Sequence, residues 1–120
     1  NVLKEISFNQ KFANWLTFFG NAALQHSIDL YNRMIYPDEN YAREIMQLFT
    51  VGLTWLNIDG TKKLDNDGNS IPTFDTDDVM NYARVWTGFY RQEMRGNIEQ
   101  RRDNGELTDP MSINRRKHDM

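Results

Sequence analysis

Cysteine is absent from all 120 residues. That excludes a disulfide framework, a thiolate metal site and a cysteine nucleophile. It leaves the compartment open. No apolar run approaches the ~20 residues a membrane-spanning helix needs. No strong charge of either sign is present: the net charge of −3 gives no general attraction to nucleic acid or anionic lipid. The chain has no Walker loop, glycine-rich dinucleotide turn, Gly-x-Ser-x-Gly elbow, His-Glu-x-x-His motif or Asn-x-Ser/Thr sequon. No internal repeat or low-complexity tract is evident.

What is present describes a single domain with a modest core. Hydrophobic content is 39%, below that of an average globular chain. Aromatic content is 12%, with three Trp, five Tyr and seven Phe, which argues against disorder. Asn1 at one end and the basic, polar stretch from Arg115 to Met120 at the other read as a segment of a longer protein.

Hydrophobic spacing predicts helices. Phe8, Phe12, Trp15, Leu16 and Phe19 recur three and four apart, with Gly20-Asn21 as a stop. Leu24, Ile28, Tyr31 and Ile35 form one stripe of a second helix that Pro37 ends, because the residue before proline avoids helical geometry. The third helix has its own start and stop. Asp38 is placed to cap it, Glu39 suits the positive end of the dipole, and Gly52 falls where a left-handed cap would close it. Tyr41, Ile45, Leu48 and Phe49, widened by Ala42 and Met46, are its expected core stripe.

From Thr54 to Phe74 the pattern changes. Asp59-Gly60 and Asp67-Gly68 are hairpin-turn signals, and Pro72 suits a sheet edge. Asp75 or Thr76 then caps a helix reaching to about Phe89, with Val79, Tyr82, Ala83 and Trp86 inward and Asp77 and Asp78 at its positive end. Residues 91–117 are polar and read as a long exposed loop with a short helix inside it. The expected fold is mainly α: a helical fragment with one β-hairpin inserted between the third and fourth helices. Residues 1–36 hold N-terminal helices, 37–53 the signature helix, 54–74 the hairpin insert, 75–89 a helix and 90–120 a polar loop region.

Chemistry-bearing residues are few. Asn40, Glu44 and Gln47 share a face of the third helix, beside Arg43. Glu44 suits a general acid or base or a metal ligand; the plain reading is a solvated face with a Glu39–Arg43 pair, and a third is a buried junction. Arg84 could pair with Glu44, and Trp86 reads as core. His118-Asp119 could bind metal or relay a proton, although neighbours in sequence rarely face the same way. Arg115-Arg116-Lys117 suits phosphate or sulfate, or a solvated loop. His26 has no partner in sequence and reads as structural. Asp65-Asn66-Asp67-Gly68 invites calcium, but Lys63 and Phe74 would fill the two loop positions that most need oxygen, which rejects an EF-hand.

The run from Asp38 to Leu53 (Asp-Glu-Asn-Tyr-Ala-Arg-Glu-Ile-Met-Gln-Leu-Phe-Thr-Val-Gly-Leu) resembles the central signature of the family called domain of unknown function 1800. Leu56–Thr61, Leu64–Phe74, Asp78-Val79 with Ala83–Phe89, and His118-Asp119 follow in the family's order. The resemblance implies a mostly helical protein, longer than this chain, that is secreted or held in the cell envelope. It carries over no catalytic residues. Asp38 and Gln47 stand where many members have Asn and Glu, and Gln47 removes a carboxylate from the polar face.

Two functions are therefore expected. The first is an exported protein with a surface structural or polymer-binding role. It would meet a surface polymer, a partner protein or the rest of its parent chain through the hairpin and the basic loop, with no nucleic acid and no membrane span. The second is a metal-assisted or acid/base hydrolase. There Glu44 is the base or ligand, Arg43 and Arg84 are anion partners, and His118-Asp119 is the second half of the site; Glu44, His118 and Asp119 are the candidate metal ligands. No motif identifies a cofactor. A third outcome is self-association through an open apolar face.

Overall fold

A computed structural model describes residues 2–92 and 109–119. Its elements in order are α1 (Val2–Ser7), α2 (Gln10–Trp15), α3 (Leu24–Tyr31), α4 (Asn40–Glu44), a π-helical turn (Ile45–Phe49), α5 (Thr76–Ala83), a 3-10 turn (Arg84–Trp86), β1 (Phe89–Tyr90) and β2 (Ser112–Ile113). The mainly helical expectation holds. The short helix expected within 91–117 falls largely outside the described residues.

The helices are shorter than their hydrophobic stripes. Asn9 breaks the first run: its side chain accepts from Phe12 N (3.0 Å) and starts α2 afresh. The expected second helix ends at Tyr31, well before Pro37. Asn32 takes a left-handed conformation (φ 51°), which asparagine tolerates, and its N–H returns to Ile28 O. Tyr31 and Ile35 are consequently exposed rather than part of a buried stripe.

The signature helix starts one residue later than expected: Glu39, not Asp38, is its N-cap and makes no side-chain cap bond. Asp38 Oδ1 accepts from Asn40 N (2.8 Å), and Asn21 holds the Asp38 peptide from both sides. Its second half differs. Ile45–Phe49 is π-helical, and Thr50 Oγ1 caps Ile45 O (2.8 Å). A π turn carries about one extra residue, a rotation of roughly 100° relative to an α-helix. Tyr41, Ala42 and Ile45 are buried as expected, but Leu48 and Phe49 are rotated outward, 64% and 41% exposed. Gly52 closes the helix (φ 75°), its N–H reaching Met46 O (2.9 Å).

α5 matches its pattern closely. Asp75 caps it and Asp78 reciprocates, a capping box, and Val79 and Ala83 are fully buried. It ends at Ala83, and Trp86 sits in the 3-10 turn beyond, in the core.

That core is aromatic. Phe18 stacks on Tyr41 (centroids 4.1 Å, 12°), Trp86 meets Tyr41 edge-on (4.6 Å, 71°), and Phe12 and Phe89 close the cluster. Such ring pairs add roughly 0.5–1.5 kcal/mol each beyond area burial. α4 packs on α5 around this cluster.

The two-stranded antiparallel sheet lies outside the expected insert. It pairs Phe89 with Ile113 and Tyr90 with Ser112. Segment 54–74 instead holds tight turns and isolated bridges, Thr54–Pro72, Leu56–Lys62 and Leu64–Ser70. These bridges repeat every eight residues. Trp55 N donates to Ile71 O (2.9 Å), Ile71 N to Lys63 O (3.1 Å) and Lys63 N to Trp55 O (2.8 Å), which closes a ring. Two of its arms are five-residue turns, Asn57–Thr61 and Asp65–Asn69, with Gly60 and Gly68 both left-handed (φ 83° and 84°). The third arm, Leu53 with Thr73, opens into the body. An eight-residue repeat thus exists that sequence inspection missed, because its third copy lacks the Asp-Gly pair. Every residue from Trp55 to Ser70 is exposed.

Candidate functional site

The His-Asp element is drawn to the end of α5 by three chain segments that meet there. Gly88 N donates to Asn21 O (2.7 Å), Asn114 N to Gly88 O (2.7 Å), Gly20 N to Phe89 O (3.0 Å) and Ala23 N to Lys117 O (2.8 Å). Gly88 is required at the crossing. It has φ 77°, and a Cβ there would stand 2.8 Å from Asn114 O and 2.9 Å from His118 Cβ.

This junction sets the polar geometry. His118 Nδ1 donates to Thr87 O (2.9 Å); a carbonyl only accepts, so the proton sits on Nδ1 and Nε2 is left with its lone pair in the neutral ring. Thr87 Oγ1 donates to Arg84 O (2.8 Å) and accepts from Asp119 N (2.9 Å). Arg84 binds Asp119 through two hydrogen bonds, Nε to Oδ2 and Nη2 to Oδ1. The guanidinium holds the Asp119 carboxyl below its ordinary pKa, and the carboxylate in turn raises that of Arg84.

Arg84 therefore pairs with Asp119 and not with Glu44. The 3-10 turn carries its side chain toward the returning C-terminal segment. Arg43 pairs with Glu39 one turn away (2.5 Å), both partly exposed, the ordinary surface pair of a helix face. Glu44 is half-buried on the same helix and shares no hydrogen bond or ion pair with His118, Asp119 or Arg84 among the described residues. Among those residues, no three His, Asp or Glu side chains converge as metal ligands would.

The remaining candidates have structural partners. Asp65 Oδ1 accepts from the N–H groups of Asp67 (3.0 Å) and Asn69 (2.8 Å), and Asp59 Oδ1 from Thr61 N and Oγ1, so both carboxylates brace their turns. Lys117 donates to the Tyr90 hydroxyl (3.0 Å) and lies over its ring (4.2 Å), whereas Arg115 and Arg116 are exposed. His26 is half-buried beside a small cavity of about 220 Å³ that Lys117 also lines. Thr87, Asn21 and Asn114 were invisible as site residues, since each binds backbone groups of segments far from it in sequence.

An open cleft of about 430 Å³ lies between α3 and α5, with Arg84 and Asp119 on its wall. No helix among the described residues is long and apolar enough to cross a membrane.

Architecture and junction together define a mainly helical protein with an aromatic core and a small antiparallel sheet that ties its C-terminal segment back onto the body. The model of the family described as protein of unknown function (DUF1800) matches residues 2–120, and the chain belongs to that family. No curated protein and no solved structure matches it.

Proposed function

We propose that this chain is part of an exported, surface-associated protein that binds a polymer through the 54–74 projection. One observation carries the reading. Trp55, Leu56, Ile58 and Leu64 are all more than half exposed on a hydrogen-bonded ring whose turns are braced by Asp59 and Asp65. Holding apolar side chains in water on an ordered scaffold is unfavourable unless something covers them. An aromatic and three aliphatic side chains held in place suit an extended, repetitive surface at low entropic cost.

The test is retention on washed insoluble polymers, cellulose, chitin and peptidoglycan. Trp55→Ala and Ile58→Asp are expected to abolish retention and to leave the unfolding midpoint unchanged. Retention that survives both substitutions sinks the proposal. Fractionation of the native protein tests export; recovery in the cytoplasm alone overturns that part.

A hydrolytic reading has one observation in its favour. His118 is oriented through Nδ1, with no partner for Nε2 among the described residues, the way a general base is commonly held. Glu44 would have to act on the same substrate without a direct bond to His118 or Asp119. Hydrolysis of any surface polymer, lost in both His118→Ala and Glu44→Gln, would establish it.

A further inference from the structure

The cleft beside the Arg84–Asp119 pair has a composition suited to one chemical class. We infer that it binds the sugar units of an uncharged polysaccharide. The inference rests on the polymer-binding reading and specifies the polymer.

Charge comes first. Arg84 and Asp119 are joined by two hydrogen bonds, so neither needs a counter-ion from a ligand. Paired, they carry no net charge and offer neither an anion nor a cation a net attraction. Yet the pair is not saturated. A guanidinium carries five N–H donors, of which two are engaged among the described residues, and a carboxylate oxygen bonded once has room for a second donor. Donors and acceptors thus stand side by side, which suits a hydroxyl that both gives and takes a hydrogen bond.

The other polar groups extend this edge. Gln25 lines the cleft, its Nε2 donating to Asp29 Oδ1 (2.7 Å). Asn81 is exposed on the wall, and its amide has no hydrogen-bond partner among the described residues. Tyr36, 58% exposed and followed by buried Pro37, supplies a flat apolar face. Aliphatic side chains of α3 complete the lining. A pyranose ring presents the complement, a C–H face for the tyrosine and a hydroxyl edge for the amides and the ion pair. The volume of about 430 Å³ falls within the range of small-ligand sites, and the cleft is not enclosed.

The experiment is calorimetric titration of the protein with short β-glucan, chitin and α-glucan oligosaccharides, with oligogalacturonate and a tripeptide as charged controls. Saturable binding of a neutral oligosaccharide is expected. Tyr36→Ala and Asn81→Ala, both surface changes, should each weaken it about tenfold, as loss of one ring contact or one hydrogen-bonding amide would. Ile58→Asp should leave it within about twofold, because residue 58 lies on the projection and not in the cleft. The inference is overturned by no saturable binding of any neutral oligosaccharide, by tighter binding of the uronate or tripeptide, or by affinity unmoved in both cleft variants. Polymer retention that still depends on Trp55 and Ile58 would then leave the projection's role standing, so the two failures separate.

Discussion

At the scale of single residues, Tyr41 and Gly88 bear most on the fold. Tyr41 is completely buried, yet its hydroxyl is satisfied: Ser7 Oγ donates to Leu3 O, so the tyrosine donates to Ser7 Oγ (2.6 Å). Tyr41→Phe keeps the ring stack and removes that bond. A loss of about 1 kcal/mol is expected in urea unfolding; an unchanged midpoint would show that the bond contributes nothing net. Burial, the largest cause, raises the Tyr41 pKa. A raised folded pKa gives stability that is fully present below the unfolded value and lost as pH rises through the folded one. Burial raises the Tyr82 pKa as well, so ultraviolet titration should find two tyrosines ionising above the ordinary range, together with loss of structure. Gly88→Ala meets both a left-handed backbone and contacts under 3 Å. It should destabilise by about 1–3 kcal/mol. A wild-type unfolding midpoint for this variant would show that the junction is loosely packed.

At the scale of elements, the projection and the π turn depart furthest from simple patterns. Residues 55–70 bury nothing, so the ring is held by turns and backbone hydrogen bonds. It should therefore open independently of the body. Asp65→Ala removes the acceptor for two amides, and faster exchange at Asp67 and Asn69 is expected with no change in the global midpoint. Equal slowing or speeding across the whole chain would contradict an independent unit. Acid should act similarly. Asp59, held down chiefly by Thr61, and Asp65, held down chiefly by the Asn69 amide, have lowered pKa values. Their contribution is present above the unfolded value of about 3.8 and lost as pH falls through the folded ones. The Asp-Gly turns were legible because glycine's left-handed freedom is a local property. The ring was not, since its closing bonds join residues eight and sixteen apart. The π turn was equally hidden: a 3.6-residue stripe carries no mark of an extra residue.

At the scale of the whole molecule, stability depends on the return of the C-terminal segment to the end of α5. Asp119, with its pKa lowered chiefly by Arg84, anchors that return at a partly exposed ion pair. Its contribution is present above about 3.8 and lost as pH falls through the depressed folded value. Asp119→Asn should remove this acid dependence and cost at most about 1 kcal/mol at neutral pH. The readout is the urea unfolding midpoint as a function of pH, which should fall less with acid in the variant than in the wild type. A variant that retains the full acid response would place the titrating group elsewhere.

Helical class, the Asp75 cap, the Gly52 closure, the buried Val79–Ala83–Trp86 face and the family signature were all written locally, in residues within a turn or two of one another. Short-range hydrogen bonds and side-chain periodicity are enough to specify such features. Which sheet formed, that Arg84 chose Asp119 over Glu44, and that a cleft opened between α3 and α5 depended on segments far apart in sequence. Those outcomes follow from how the aromatic core packs and from which distant backbone groups it leaves facing one another. No local pattern of residues encodes that choice.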